Sequence, residues 1–271
     1  MKQAATTYFD GEGRDFSRAC IDHSVEWCVN TNLSKLVIFT GTGDGPHYAG
    51  REILSDERYQ HLQVIAVTPP AGRSYRTNPN DPNSPVVRAG VNPAMVEELS
   101  ELGIKVVAAH LPFKGIHNGI SRTSEWDRVA EAYGVLGGGF ALCIQAALIA
   151  CDAGMVESGE RVVVASADTA MAVIACRTES FLSPTDGLLV EHIICRPMRY
   201  SISKPKHHLS QQMWVRFTAP QARSEASEGG PGPKPSLMPT LPPSTEPTES
   251  KTTSSKSAGR PSRSKKPKSG E

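Results

Sequence analysis

Aromatic residues are scarce in this 271-residue chain, at 6%, and its charges nearly cancel to a formal +1. No segment approaches the length of a membrane span, so no membrane contact is expected. Met1 to Ala5 carry no apolar run of the secretory kind, which points to a reducing, intracellular, cytoplasmic setting. The six cysteines, at 20, 28, 143, 151, 176 and 195, form no CxxC pair. Cys20 with Cys28, and Cys143 with Cys151, are eight residues apart. That spacing returns to one helix face, so core packing is their expected role. The cysteines and the eight histidines show no close-spaced ligand pairs, and no metal site is expected. A GxSxG elbow and a catalytic-cysteine signature are also missing.

What is present changes character along the chain. From about Lys204 onward Pro, Ser, Thr, Lys and Gly take over, and between Pro220 and Glu271 the aliphatic residues are nearly confined to Leu237, Met238 and Leu241. Such a segment cannot bury enough apolar surface to offset the entropy of ordering it. The expected organisation is a folded domain over 1–203 and a disordered, basic, Pro/Ser/Lys-rich tail over 204–271. About 200 residues suffice for one well-buried core. Lys251 to Lys268 holds seven Lys or Arg and no acid, which leaves the body slightly acidic. The run Arg260, Arg263, Lys265, Lys266 and Lys268 reads as a solvated tail, or else as a nuclear-targeting or polyanion-binding patch. No aromatics interleave it, so specific nucleic-acid recognition is not expected.

Along the body, apolar runs predict strands at Thr7–Phe9, Lys35–Phe39, Leu62–Val67, Ile104–Ala108, Arg161–Val164, Ala170–Cys176 and Leu188–Cys195. A helix carrying Phe16, Cys20, Ile21, Val25 and Cys28, capped by Asp15 or Ser17, is expected after the first of them. Another follows from Pro46, and a third opens at Asn92-Pro93, with Asn as cap and Pro at the first helical position, and stops at Gly103. Helical patterns cover about 124–135 and 140–153, the second apolar nearly all round. Pro69 to Asn92 reads as a long, irregular and functional loop. Strands alternating with helices argue for a mainly parallel sheet covered on both faces. One of the last two strands, which lack a helix between them, is expected to run antiparallel.

Ligands in open α/β sheets sit beyond the carboxyl ends of strands. Thr40-Gly41-Thr42-Gly43-Asp44-Gly45 occupies such a place. Its glycines allow close backbone approach, its hydroxyls are donors, and the following helix start favours an anion. Asp44 opposes a phosphate unless it caps the helix instead. No GK[ST] follows and no complete GxGxxG is present, so phosphate binding and a plain tight turn both remain open at this point. His110 closes a strand at the same edge, as a ligand contact or as a structural histidine. Ser121 and Arg122 could offer a hydroxyl and a planar guanidinium to an anion, or an ordinary surface ion pair. Arg73, Arg76 and Arg88 stand in the long loop. Asp168 and Thr169 most simply cap or turn the chain.

The segment "KLVIFTGTGDGPHYAGREILSDERYQHLQVIAVT" resembles the strand–loop–helix–strand unit of the pyruvate kinase carboxy-terminal domain. "VEELSELGIKVVAAH", "GIHNGISR", "IACDAGMV", "ADTAMAV" and "EHIICRP" bring the chain closer to an uncharacterised stand-alone family of pyruvate-kinase-C-terminal-like proteins, over roughly residues 6–198. The resemblance implies a three-layer α/β/α domain with a mixed, mainly parallel, five-stranded sheet. It implies a phosphate cradle at Thr40, Gly41, Thr42, Gly43 and Gly45, with His110, Ser121, Arg122, Asp168 and Thr169 as further candidates. FMN is one candidate cofactor. The glycine-rich loop usual after the strand ending at Val164 is cut to Ala165-Ser166, which argues against a sugar bisphosphate, and a Glu usual in the buried helix is Gln145. The chain is too short to add an eight-stranded barrel of about 250 residues, and pyruvate kinase activity is not expected. The expected function is therefore a binding or regulatory module, in an oligomerising domain, for a phosphorylated small molecule. The alternatives are an enzyme of unassigned reaction, with flavin as one cofactor choice, or a scaffold using its tail as a tether.

Overall fold

Buried strands in this chain are short, continuous runs of β-branched and aliphatic residues, and they build one seven-stranded sheet in the computed structural model. The structure describes residues 4–72, 74–76, 81–113 and 125–200. The strands are β1 (Thr7–Phe9), β2 (Lys35–Phe39), β3 (Gln63–Thr68), β6 (Lys105–Ala108), β7 (Arg161–Ala165), β8 (Ala170–Ile174) and β9 (Leu189–Pro197), with β4 (Ser74–Arg76) and β5 (Val86–Arg88) apart as a two-stranded hairpin. Across the sheet the order is β1-β9-β8-β7-β2-β3-β6. All neighbours pair in parallel except β8, which runs against both β7 and β9.

The sheet has two strands more than the five the resemblance implies, and as many as the residue runs predict. β1 and β9 pair with each other at one edge. The 69–92 segment also departs from the expected irregular loop, because β4 and β5 pair antiparallel within it.

Pleating sends alternate residues of each strand to opposite faces. Leu36, Ile38, Val64 and Ala66 join one core with α1 (Ser17–Thr31), α2 (Asp44–Tyr48) and α3 (Pro93–Glu101). Val37, Ile65, Val67, Val162 and Val164 join a second core with α4 (Glu125–Tyr133) and α5 (Gly138–Asp152). Helices thus cover both faces. From β2 the chain steps outward to β3 and β6 with helices on the first face, then returns to β7, on β2's other side, with helices on the second. The reversal leaves a switch point between β2 and β7.

The helix ends show which local signals acted. Asn92 caps α3, its side chain accepting from Met95 N–H at 2.8 Å, with Pro93 just inside. Neither Asp15 nor Ser17 caps α1; a 3-10 turn at Arg14–Phe16 runs directly into it, and backbone carbonyls take the first donors. α2 begins at Asp44 rather than Pro46, which is tolerated because the first-turn N–H groups have no helical partner. It continues into a π turn at Ala49–Ile53, closed by Leu54 N–H to Ala49 carbonyl at 2.9 Å. Gly50 lets this helix lie against its neighbours: a Cβ there would stand 2.9 Å from both Leu102 and Ile104 methyls.

All six cysteines are free and buried, as core packing requires. Desolvation pushes the Cys28 thiol up to about 12, far from a reactive thiolate. Among the described residues no helix is long and apolar enough to cross a membrane. The expected tail, 204–271, lies outside the described residues.

Candidate functional site

A cleft of about 1060 Å³ opens at the carboxyl edge of the sheet, around the switch point. Its floor comes from successive strand ends: His110 and Leu111 after β6, Pro69 and Pro70 after β3, Thr40 to Thr42 after β2, and Ser166 with Ala167 after β7. One wall is Arg14 of the 3-10 turn with the start of α1 (Ser17, Arg18), and the helix beginning at α2 (His47, Tyr48, Arg51, Glu52). The hairpin contributes Ser74, Arg76 and, just beyond it, Ala89. Four arginines face two carboxylates, Asp44 and Glu52, in this lining. Arg18 lies 5.1 Å over the ring of Tyr48, whose hydroxyl donates to Asp22 at 2.9 Å. Burial and the Asp22 carboxylate push the Tyr48 phenol up. Arg76 Nη1 donates to Ser84 carbonyl at 3.1 Å, which ties its guanidinium to the hairpin.

The Thr40–Gly45 turn is partly satisfied from within. Thr40 Oγ1 accepts from Gly43 N–H at 2.8 Å and from Thr42 N–H at 3.3 Å. Thr42 Oγ1 donates to Asp44 at 2.7 Å. Two amides and one hydroxyl expected to meet a ligand are thus engaged inside the turn. Asp44 does not cap α2; its carboxylate holds Thr42 instead. Gly43 takes a left-handed φ of 98°, and a Cβ there would stand 2.5 Å from Met95 Cγ. Gly45 keeps the start of α2 close to α1, where a Cβ would lie 3.3 Å from Ile21 Cδ1. Thr40, Gly41, Thr42, Asp44 and Gly45 line the cleft, and Gly43 does not.

The other expected residues fall differently. His110 lines the cleft. Asp168 and Thr169 do not; they sit buried behind Ser166, where Asp168 accepts from Gly13 N–H at 2.8 Å and from Thr169 Oγ1 at 3.0 Å. Burial, the largest influence, raises the Asp168 carboxyl, against the pull of those two donors. Their place is that of a tie between β8's start and the loop before α1. Ser121, Arg122 and Arg73 lie outside the described residues. Gln145 is structural, its Oε1 accepting from Phe113 N–H at 2.9 Å and its Nε2 donating to Ala141 carbonyl.

Sequence reasoning missed Arg14, Arg18, His47, Tyr48, Arg51 and Glu52. A signal for the last four was available. They fall at i, i+1, i+4 and i+5 just beyond the glycine turn, with Ala49, Gly50 and Ile53 buried opposite. A π turn in this helix points the same way, since such turns gather at functional sites.

In chemical terms the arrangement offers guanidinium donors and hydroxyls around an apolar floor of Ile38, Leu111 and Leu142. That combination suits an anionic group attached to an apolar body. No protein-family model matches the chain.

Proposed function

We propose that this domain binds a phosphate-bearing small molecule in the carboxyl-edge cleft and acts as a binding or regulatory module. The observation that carries the reading is the excess of arginines, four against two carboxylates, around a cleft of about 1060 Å³ at the switch point. Arginine gives planar, bidentate donors to phosphate oxygens, and open α/β sheets place ligands at this point. The volume is just above the roughly 300–1,000 Å³ usual for small-molecule sites. A lone phosphate would leave most of it empty. A phosphorylated metabolite or a nucleotide cofactor such as FMN fits the size, and the likeness to a pyruvate-kinase-C-terminal-like family favours the same choice. Phosphoryl transfer by a pyruvate kinase barrel forms no part of the reading.

Isothermal titration of the full chain with FMN, sugar monophosphates and nucleotides tests it. One of these classes is expected to bind, and Arg18→Ala with Arg51→Ala to weaken it about tenfold, while unfolding stability stays within about 0.5 kcal/mol. Equal binding by the double variant, or binding by none of the three classes, would overturn the reading.

A further inference from the structure

His47 carries two contacts on one ring nitrogen. Its Nε2 lies 3.1 Å from Arg51 Nε and 3.3 Å from Glu98 Oε2. The two partners ask for opposite states of that nitrogen. Arg51 Nε–H is a donor and needs a lone pair there, whereas the carboxylate is an acceptor and needs a proton there. With a lone pair on Nε2, the imidazole holds Arg51 and sets its electrons against the carboxylate. Protonated on both nitrogens, it donates to Glu98 and repels Arg51 through charge and through opposed N–H groups. One proton decides which partner His47 keeps.

The surroundings leave few other groups to interfere. His47 and Arg51 stand one turn apart on the α2 helix and both line the cleft, while Glu98 stands on α3 outside it. The other charged residues on this helix are Asp44, held by Thr42, and Glu52. From α1, Arg18 and Asp22 engage Tyr48 rather than His47. β3 packs against the helix with no charged residue at all. Glu97 and Glu101 share α3 with Glu98, and Arg14 and His110 stand on other parts of the cleft lining.

We propose that anion binding in this cleft takes up a proton on His47. The protonated ring turns its Nε2–H to Glu98, Arg51 is released to the anion, and the imidazolium adds a further positive charge beside it. This rests on the reading of the cleft as an anion site and adds its regulation: affinity rises as pH falls. Arg51 and His47 are the residues that meet the anion, and Glu98 is a positioning residue.

Sulfate is the probe of choice, because it stays dianionic where phosphate itself gains a proton. The full chain is titrated calorimetrically with sodium sulfate at fixed ionic strength, at about pH 5.5 and about pH 7.5, either side of the range in which imidazoles titrate. Wild-type affinity is expected to fall about tenfold from the lower to the higher pH. His47→Gln is expected to bind more weakly and equally at both. Glu98→Gln moves the fall to lower pH, because the imidazolium loses its counter-charge, and a merely structural Glu98 would not shift it. Equal wild-type affinity at the two pH values, or an undiminished slope in His47→Gln, overturns proton uptake on His47 and leaves the anion site standing. No sulfate binding by wild type at either pH overturns both.

Discussion

Two helices begin in glycines at the carboxyl edge of this sheet, and they end up with opposite roles. α2 opens at Thr40–Gly45 and α5 at Gly137-Gly138-Gly139. By local chemistry either could receive an anion. At α5, however, a Cβ on Gly139 would collide with Thr169 Oγ1 and stand 2.6 Å from Asp168 Oδ1 and 2.8 Å from Ser166 Oγ. The chain has placed its own carboxylate and hydroxyls against that entry. At α2 the turn instead lines the cleft, together with four arginines. What separates an entry that opens on the cleft from a closed one is the group standing in front of it, not the glycines. α5 shows a helix start closed by the protein's own side chains.

The largest test of this contrast is Gly139→Val, which drives a branched side chain into the Ser166, Asp168 and Thr169 cluster. It is expected to cost about 3 kcal/mol or more in urea unfolding; a cost near zero would mean that the α5 entry is not closed.

Next in size is Asp168→Ala, which strips acceptors from Gly13 N–H and Thr169 Oγ1 at about 1–3 kcal/mol. Asp168→Asn keeps an acceptor and should cost less. The pH dependence separates the two effects. A carboxyl raised in the folded state holds its proton more tightly there than in the unfolded chain. Its contribution is therefore fully present below the ordinary aspartate range near 3.9 and is lost as pH climbs through the raised value. Asp168→Asn lacks this decline, so its stability relative to wild type should improve between about pH 4 and about pH 7. A difference constant with pH would contradict a buried, raised carboxyl.

The smallest effect is expected at the open entry. Asp44→Asn removes the carboxylate nearest the turn and should raise sulfate affinity about threefold with little change in stability. Unchanged affinity would place the anion away from this helix start.

The sheet was largely legible in the residues. β2, β3 and β7 are buried on both faces and therefore read as unbroken aliphatic runs, and Asn92-Pro93 marked the start of α3 by cap chemistry alone. β4 and β5 were not legible, since they lie in a stretch crowded with Pro, Asn and Gly. The cleft was half legible. The turn after β2 announced itself through its glycines, but the arginines that define the cleft lie on separate elements that meet only in the folded state. Nor can a sequence say whether a threonine hydroxyl serves its own loop or a ligand. Thr40 faced both choices, and its Oγ1 accepts from the amides of its own turn. Counting runs was also the better guide to strand number, since seven runs matched the seven strands where the resemblance implied five.

The π turn at Ala49–Ile53 gives the cleft an unusual sensitivity to chain length. It holds one residue more than an α-helical turn would, so the residues ahead of it are out of phase with those behind by about 100° of helix rotation. Gly50 and Ile53 are gripped by the core, while His47 and Tyr48 look into the cleft. A single-residue deletion here would let the helix relax to regular winding and rotate the functional face away from its neighbours, with the hydrophobic packing nearly undisturbed. The turn works as a phase key between the part of the helix that holds the fold and the part that lines the cleft.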